Sequence, residues 1–130
     1  MSEPPHIRPE RKWSEKFRDA LNGLVCGIRG QSSFFAHFFI ATLVLVVALL
    51  SNMNHEEWCL LVLCIFVVLT AEMFNSALES MARAITDETD PHVGEALDIG
   101  SAAVLLASIG ASIIGVIIFL RHLGDLAGYF

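Results

Sequence analysis

Three stretches between Phe34 and Leu120 are apolar enough, and long enough, that a lipid bilayer is the natural place to bury them. Phe34 to about Ser51 contains no Asp, Glu, Lys or Arg, and its length just meets the ~20 helical residues that a ~30 Å hydrocarbon core requires. A second run opens at Trp58 and continues to Ile85, longer than a bilayer needs, so its last turns should emerge from the membrane. The third covers about 98–120, with Asp98 at its start. Inside a bilayer every backbone N–H and C=O has to be satisfied by the chain itself, which leaves helices for segments of this kind. A hydrophobic fraction of 55% and a mean hydropathy of +0.62 exclude an ordinary soluble globule. The expected architecture is an all-α integral membrane domain spanning 13–130, with spans at about 34–51, 58–85 and 98–120.

What precedes the first span is of a different character. Residues 1–12 are rich in proline and basic groups and read as a disordered head. From Trp13 to Gly30 the apolar residues Trp13, Phe17, Ala20, Leu21, Leu24, Val25 and Ile28 recur at helical spacing, so this segment should be an amphipathic helix lying in the membrane interface. The first 33 residues hold six Lys or Arg against four acids, whereas the remainder holds only Arg83 and Arg121 against ten acids. That asymmetry places the N-terminus in the cytoplasm and Ser51–Glu57 outside, and no basic surface suggests a nucleic-acid partner. Cys26, Cys59 and Cys64 have no metal-ligand spacing and read as small hydrophobes. Asp87, Glu88, Asp90 and Glu95 fill the second loop, 86–97, where Pro91 and Gly94 act as breakers.

The second span changes character at Ala71–Arg83, AEMFNSALESMAR. Steps of three, four and seven place Glu72, Asn75, Ser76, Glu79 and Arg83 on one helical stripe. Carboxylates at membrane depth are expensive to desolvate and therefore face protein or a wet cavity. With Asp98 after a short loop, Glu72, Asn75 and Glu79 would form one cytoplasmic-side cluster. Such carboxylates can hold Mg²⁺ together with phosphate oxygens and water, and a desolvated one can take a proton from a hydroxyl. His37, alone on an apolar face, reads as a satisfied interfacial histidine. Ala107, Ala111 and Gly115 make a small-residue ridge suited to close helix contact. Three spans shield a polar stripe poorly, so a homo-oligomer is expected. Two classes of function remain open on these residues: transfer to a lipid hydroxyl at the interface, or a small oligomeric transporter or proton pathway built around Glu72.

Ala71-Glu72-Met73-Phe74-Asn75-Ser76-Ala77-Leu78-Glu79 resembles the A-E-x-x-N-[TS]-A-[IL]-E signature of the prokaryotic diacylglycerol kinase/undecaprenol kinase family. Asp98-Ile99-Gly100-Ser101-Ala102-Ala103-Val104-Leu105 is similar to the D-x-x-[AS]-[AG]-A-V-L segment that follows that family's cytoplasmic loop, and the likeness extends from Phe17-x-x-Ala20-x-x-Gly23 to Leu120. It implies a homotrimer in the bacterial inner membrane that moves the γ-phosphoryl of MgATP onto a lipid hydroxyl, with the active site on the cytoplasmic side. By resemblance Glu72 is the general base, Asn75 organises the site and Glu79 binds the metal. Asp98 lies by the nucleotide, which Lys12 and the loop residues Glu88, Thr89 and Asp90 approach. Three departures stand out. Gln31 occupies the place of a metal-binding glutamate, Leu97 that of a phosphate-facing lysine, and Arg83 that of an aspartate. Gln31 keeps a carbonyl oxygen for the metal, and Arg83 is a candidate replacement for the missing cation. Without compensation, the chain would be a divergent member lacking ATP-dependent transfer, or one using another phosphoryl donor.

Overall fold

A computed structural model describes residues 10–30 and 32–128, apart from the side chain of Ser32. Four helices follow in order: α1 (Trp13–Arg29), α2 (Ser32–Leu50), α3 (His55–Ile85) and α4 (Pro91–Ala127). Three of them, α2, α3 and α4, are long and apolar enough to cross a membrane. The architecture expected from the sequence is therefore present: one amphipathic helix and three spans. Most of the proposed disordered head, and Gln31, lie outside the described residues.

Two helix starts differ from expectation, and both have a local cause. Helix α3 begins at His55 rather than Trp58 because Asn54 and Glu57 cap it reciprocally. The Asn54 side chain accepts from Glu57 N–H at 2.9 Å, and the Glu57 carboxylate accepts from Asn54 N–H at 3.1 Å. Helix α4 begins at Pro91 rather than Asp98. Asp90 Oδ1 accepts from the N–H groups of His92 (2.8 Å) and Val93 (3.1 Å), and Pro91 then supplies a preset φ at a position with no N–H to satisfy. Pro91 thus starts the helix instead of breaking it, and Gly94 is carried inside. Helix α4 also runs past Leu120 to Ala127.

Helices α3 and α4 form the main contact, an antiparallel pair joined by the loop 86–90, while α2 and α1 pack more lightly on α3. Far from that loop, Ala48, Met53, Leu61 and Ile118 make a small buried core against which Trp58, Ile65 and Ile114 pack. Glu57, buried there, takes a 2.8 Å contact from His122 Nε2, tying the start of α3 to the end of α4. His122 is therefore a partner across the pair. Between α2 and α4, over α3, lies an apolar groove of about 620 Å³. Ala111 and Gly115 of the small-residue ridge line it, and a Cβ at Gly115 would meet nothing within 4 Å. Within one chain Gly115 of the ridge borders open space, while Ala107 and Ala111 are half-buried. Much of each span's apolar surface is likewise uncovered by the chain itself.

Candidate active site

The polar stripe of α3 faces inward, as its residue types require. Glu72 is 3% exposed, Asn75 8% and Ser76 7%, and each meets a different neighbour. Glu72 points at α2, where Ser33 Oγ donates to Oε1 in a short hydrogen bond and His37 Nε2 stands 3.4 Å from Oε2. Ser33 and His37 are four residues apart and so share one face of α2, which Phe34, almost wholly buried, seats against the bundle. Asn75 points at α4: a Cβ built at Gly100 would lie 2.6 Å from Asn75 Oδ1. Only a glycine lets the two backbones come this close. Asn75 Nδ2 donates to Glu79 Oε1 at 3.1 Å, while Asn75 Oδ1 is buried with no hydrogen-bond partner among the described residues. Ser76 lines the gap between α1 and α3, opposite Gly23 and Gly27.

One turn further, Glu79 and Arg83 enter an open pocket of about 400 Å³ at the α3–α4 loop, with Thr86, Glu88, Val93 and Leu97. Glu88 N–H donates to Thr86 Oγ1 at 3.0 Å, which shapes the loop. Three of the residues proposed for the nucleotide, Glu79, Arg83 and Glu88, are thereby brought together, and Leu97 stands among them. Asp90 spends its carboxylate on the cap of α4. Lys12 occupies the N-cap position of α1, where its backbone N–H donates to Glu15 Oε2 at 3.0 Å, and it is exposed, as is Thr89. Asp98 does not join Glu72, Asn75 and Glu79: it is exposed on α4 and makes no hydrogen bond or ion pair among the described residues. Gly100 meets the stripe, and Asp98, two residues earlier and so about 200° around the helix, lies on the other side of α4.

Read from the sequence as a satisfied interfacial histidine, His37 finds its partner in Glu72, while Ser33 was not singled out at all. Their spacing of four on an otherwise apolar helix was the available signal; their target, more than thirty residues away, was not. Among the described residues no three His, Cys, Asp or Glu side chains gather as a metal cage. A single carboxylate steadied by an amide, as at Glu79, still suits Mg²⁺, which binds through one or two carboxylates and takes its other oxygens from phosphates and water.

Residues 18–119 match the family model described as prokaryotic diacylglycerol kinase. The undecaprenol kinase of Bacillus subtilis (strain 168) is 28% identical over 123 residues, covering 95% of this chain and all of the relative. The diacylglycerol kinase of Escherichia coli (strain K12) is 31% identical over 102 residues, 78% of this chain and 84% of the relative. That of Helicobacter pylori is 27% identical over 106 residues, covering 82% and 83% respectively. With the model match spanning most of the chain and the same three apolar helices in place, the protein belongs to the prokaryotic diacylglycerol kinase family of membrane lipid kinases.

Proposed function

We propose that this chain transfers the γ-phosphoryl group of MgATP to the hydroxyl of diacylglycerol or undecaprenol. The observation that carries the reading is the division of the α3 stripe into a buried carboxylate, Glu72, and a carboxylate at an open pocket, Glu79, two helical turns apart. Phosphoryl transfer asks the protein mainly for positioning and charge neutralisation. Glu72, shielded from water, would accept the hydroxyl proton as the lipid oxygen attacks. Glu79, held by Asn75, would bind Mg²⁺, with the Gln31 carbonyl as a second oxygen; the metal supplies charge neutralisation at the phosphates. Arg83, Glu88, Thr89, Asp90, Asp98 and Lys12 are the candidates for contact with the rest of the nucleotide. Basic residues in the head and the interfacial helix support a cytoplasmic N-terminus in the inner membrane, and the uncovered apolar faces support a homo-oligomer, as the trimer of the family resemblance.

Leu97 favours one second reading. An apolar side chain lines the pocket where a phosphate-facing lysine would be expected, which fits a different phosphoryl donor or loss of ATP-dependent transfer. A proton pathway through Glu72 is poorly supported, because the groove beside it is walled mostly by Ile, Val, Leu and Ala. The test is transfer of labelled γ-phosphate from MgATP in mixed micelles, with each lipid offered separately. Transfer to one lipid that disappears in Glu72→Gln supports the proposal. Folded, oligomeric protein that phosphorylates neither lipid would refute it.

A further inference from the structure

We infer that His37 is a positioning residue for Glu72, and that α2 aims the catalytic carboxylate through it. The inference rests on the reading of Glu72 as the base and adds to it the means by which that base is held. A carboxylate buried at 3% exposure needs donors on its oxygens. Glu72 has one at Oε1, the Ser33 hydroxyl, and the His37 ring stands in polar contact 3.4 Å from Oε2. Both groups come from the same face of one helix, four residues apart, so α2 presents a polar group to each end of the carboxylate. A side chain on α3 alone would be free to rotate about its χ angles. Held from α2, it has one orientation, and the oxygen that takes the proton has a fixed direction.

His37 has a second contact surface. It lines the apolar groove between α2 and α4, whose other walls include Ile40, Val44, Leu61 and Val68. Its ring therefore stands where the groove reaches Glu72, with one edge toward the carboxylate. A lipid chain lying in that groove would bring its hydroxyl end past this ring. The contact of His37 with Glu72 belongs to the folded chain and needs no bound substrate.

The test compares His37→Ala with His37→Gln, whose side-chain amide can place a donor near the position of Nε2. His37→Ala should lower kcat by about 10- to 100-fold, the usual effect of removing a group that orients a reactive one, with KM for ATP unchanged. His37→Gln should recover most of that loss. An activity-independent readout accompanies it: the ring ¹⁵N resonances of His37 in labelled protein in micelles, assigned by their absence from His37→Gln. They should shift in Glu72→Gln and stay in place in Arg83→Ala. If His37→Ala keeps wild-type kcat, or if the His37 resonances ignore Glu72→Gln, the inference is wrong. A rise in KM for the lipid alone would make His37 a groove contact, which also overturns it. Should the wild-type protein phosphorylate no lipid, the kinase reading fails by itself, and the resonances still decide whether His37 holds Glu72.

Discussion

Replacing Gly100 by alanine tests how closely α4 is fitted to the polar stripe. The added methyl would stand 2.6 Å from Asn75 Oδ1 and 3.0 Å from Leu78 Cδ1, the first about 0.8 Å inside ordinary contact. The Leu78 methyl can turn aside. Asn75 is buried and tied to Glu79, so it has to rotate, or α4 has to move away from its main partner. Overpacking of this kind costs about 1–3 kcal/mol, and loss of the Asn75–Glu79 bond, which has a charged acceptor, about 1.5–3 kcal/mol. Against this, alanine in a helix interior gains about 1 kcal/mol over glycine. The expected net effect is a loss of about 1.5–5 kcal/mol, with transfer reduced about 10- to 100-fold as Glu79 loses the Asn75 amide. Thermal unfolding in detergent micelles and labelled-phosphate transfer measure the two effects. Gly110→Ala is the control on the same helix, since a Cβ there meets nothing within 4 Å. In an Asn75→Ala background the main clash disappears and Gly100→Ala should become nearly neutral in stability, a non-additivity that distant sites do not show. If Gly100→Ala is as stable and active as Gly110→Ala, the close fit of α4 to Asn75 is refuted.

Other outcomes follow from the same geometry. Glu57→Ala should lower stability by about 2–4 kcal/mol, because it strips the α3 cap and leaves His122 without its buried partner; kcat at the opposite end of the pair should stay within twofold, as unfolding and transfer assays on one preparation would establish. Arg83→Ala should raise KM for ATP with little change in KM for the lipid, and an unchanged value would remove Arg83 as the replacement cation. Asp90→Ala should cost about 1 kcal/mol of stability while Asp90→Asn stays within about 0.5 kcal/mol, since asparagine caps as well as aspartate; equal losses in both would mean that the charge of Asp90, not its cap, matters to the fold.

The sequence carried a good deal of this. Apolar runs too long for a soluble core demanded membrane helices, and a polar stripe on one of them demanded an interior face; Glu72, Asn75 and Ser76 are buried as that reasoning requires. Pro91 shows why boundaries were harder. The same residue ends a helix that precedes it and starts one that follows, and only the Asp90 side chain, turned onto the next two N–H groups, decides between them. Within one chain Asp98 is exposed and away from the stripe, because Gly100, about 200° further around α4, is the residue that faces Asn75. The partner of His37 and the part played by Ser33 were missed for another reason. Periodicity reports which residues share a face, but what that face meets is set by packing between helices, and neither the contact of His37 with Glu72 nor that of His122 with Glu57 has a local trace.

The length of α4 has a consequence of its own. Its 37 residues make a rod of about 55 Å, against a hydrocarbon layer of ~30 Å. Helix α3, at 31 residues, is also overlong. In a bilayer the pair would therefore extend beyond the hydrocarbon layer, with the Glu79 pocket near the loop end of the two helices. Glu72 lies fourteen residues beyond Trp58, about 21 Å along the rod, so if Trp58 marks the outer interface, Glu72 is still submerged beneath the inner one. On the proposed reading, the carboxylate for the lipid hydroxyl and the pocket for the nucleotide lie at two depths on one rigid scale, and thinning or thickening the host membrane by a few ångströms would change how far the hydroxyl has to reach.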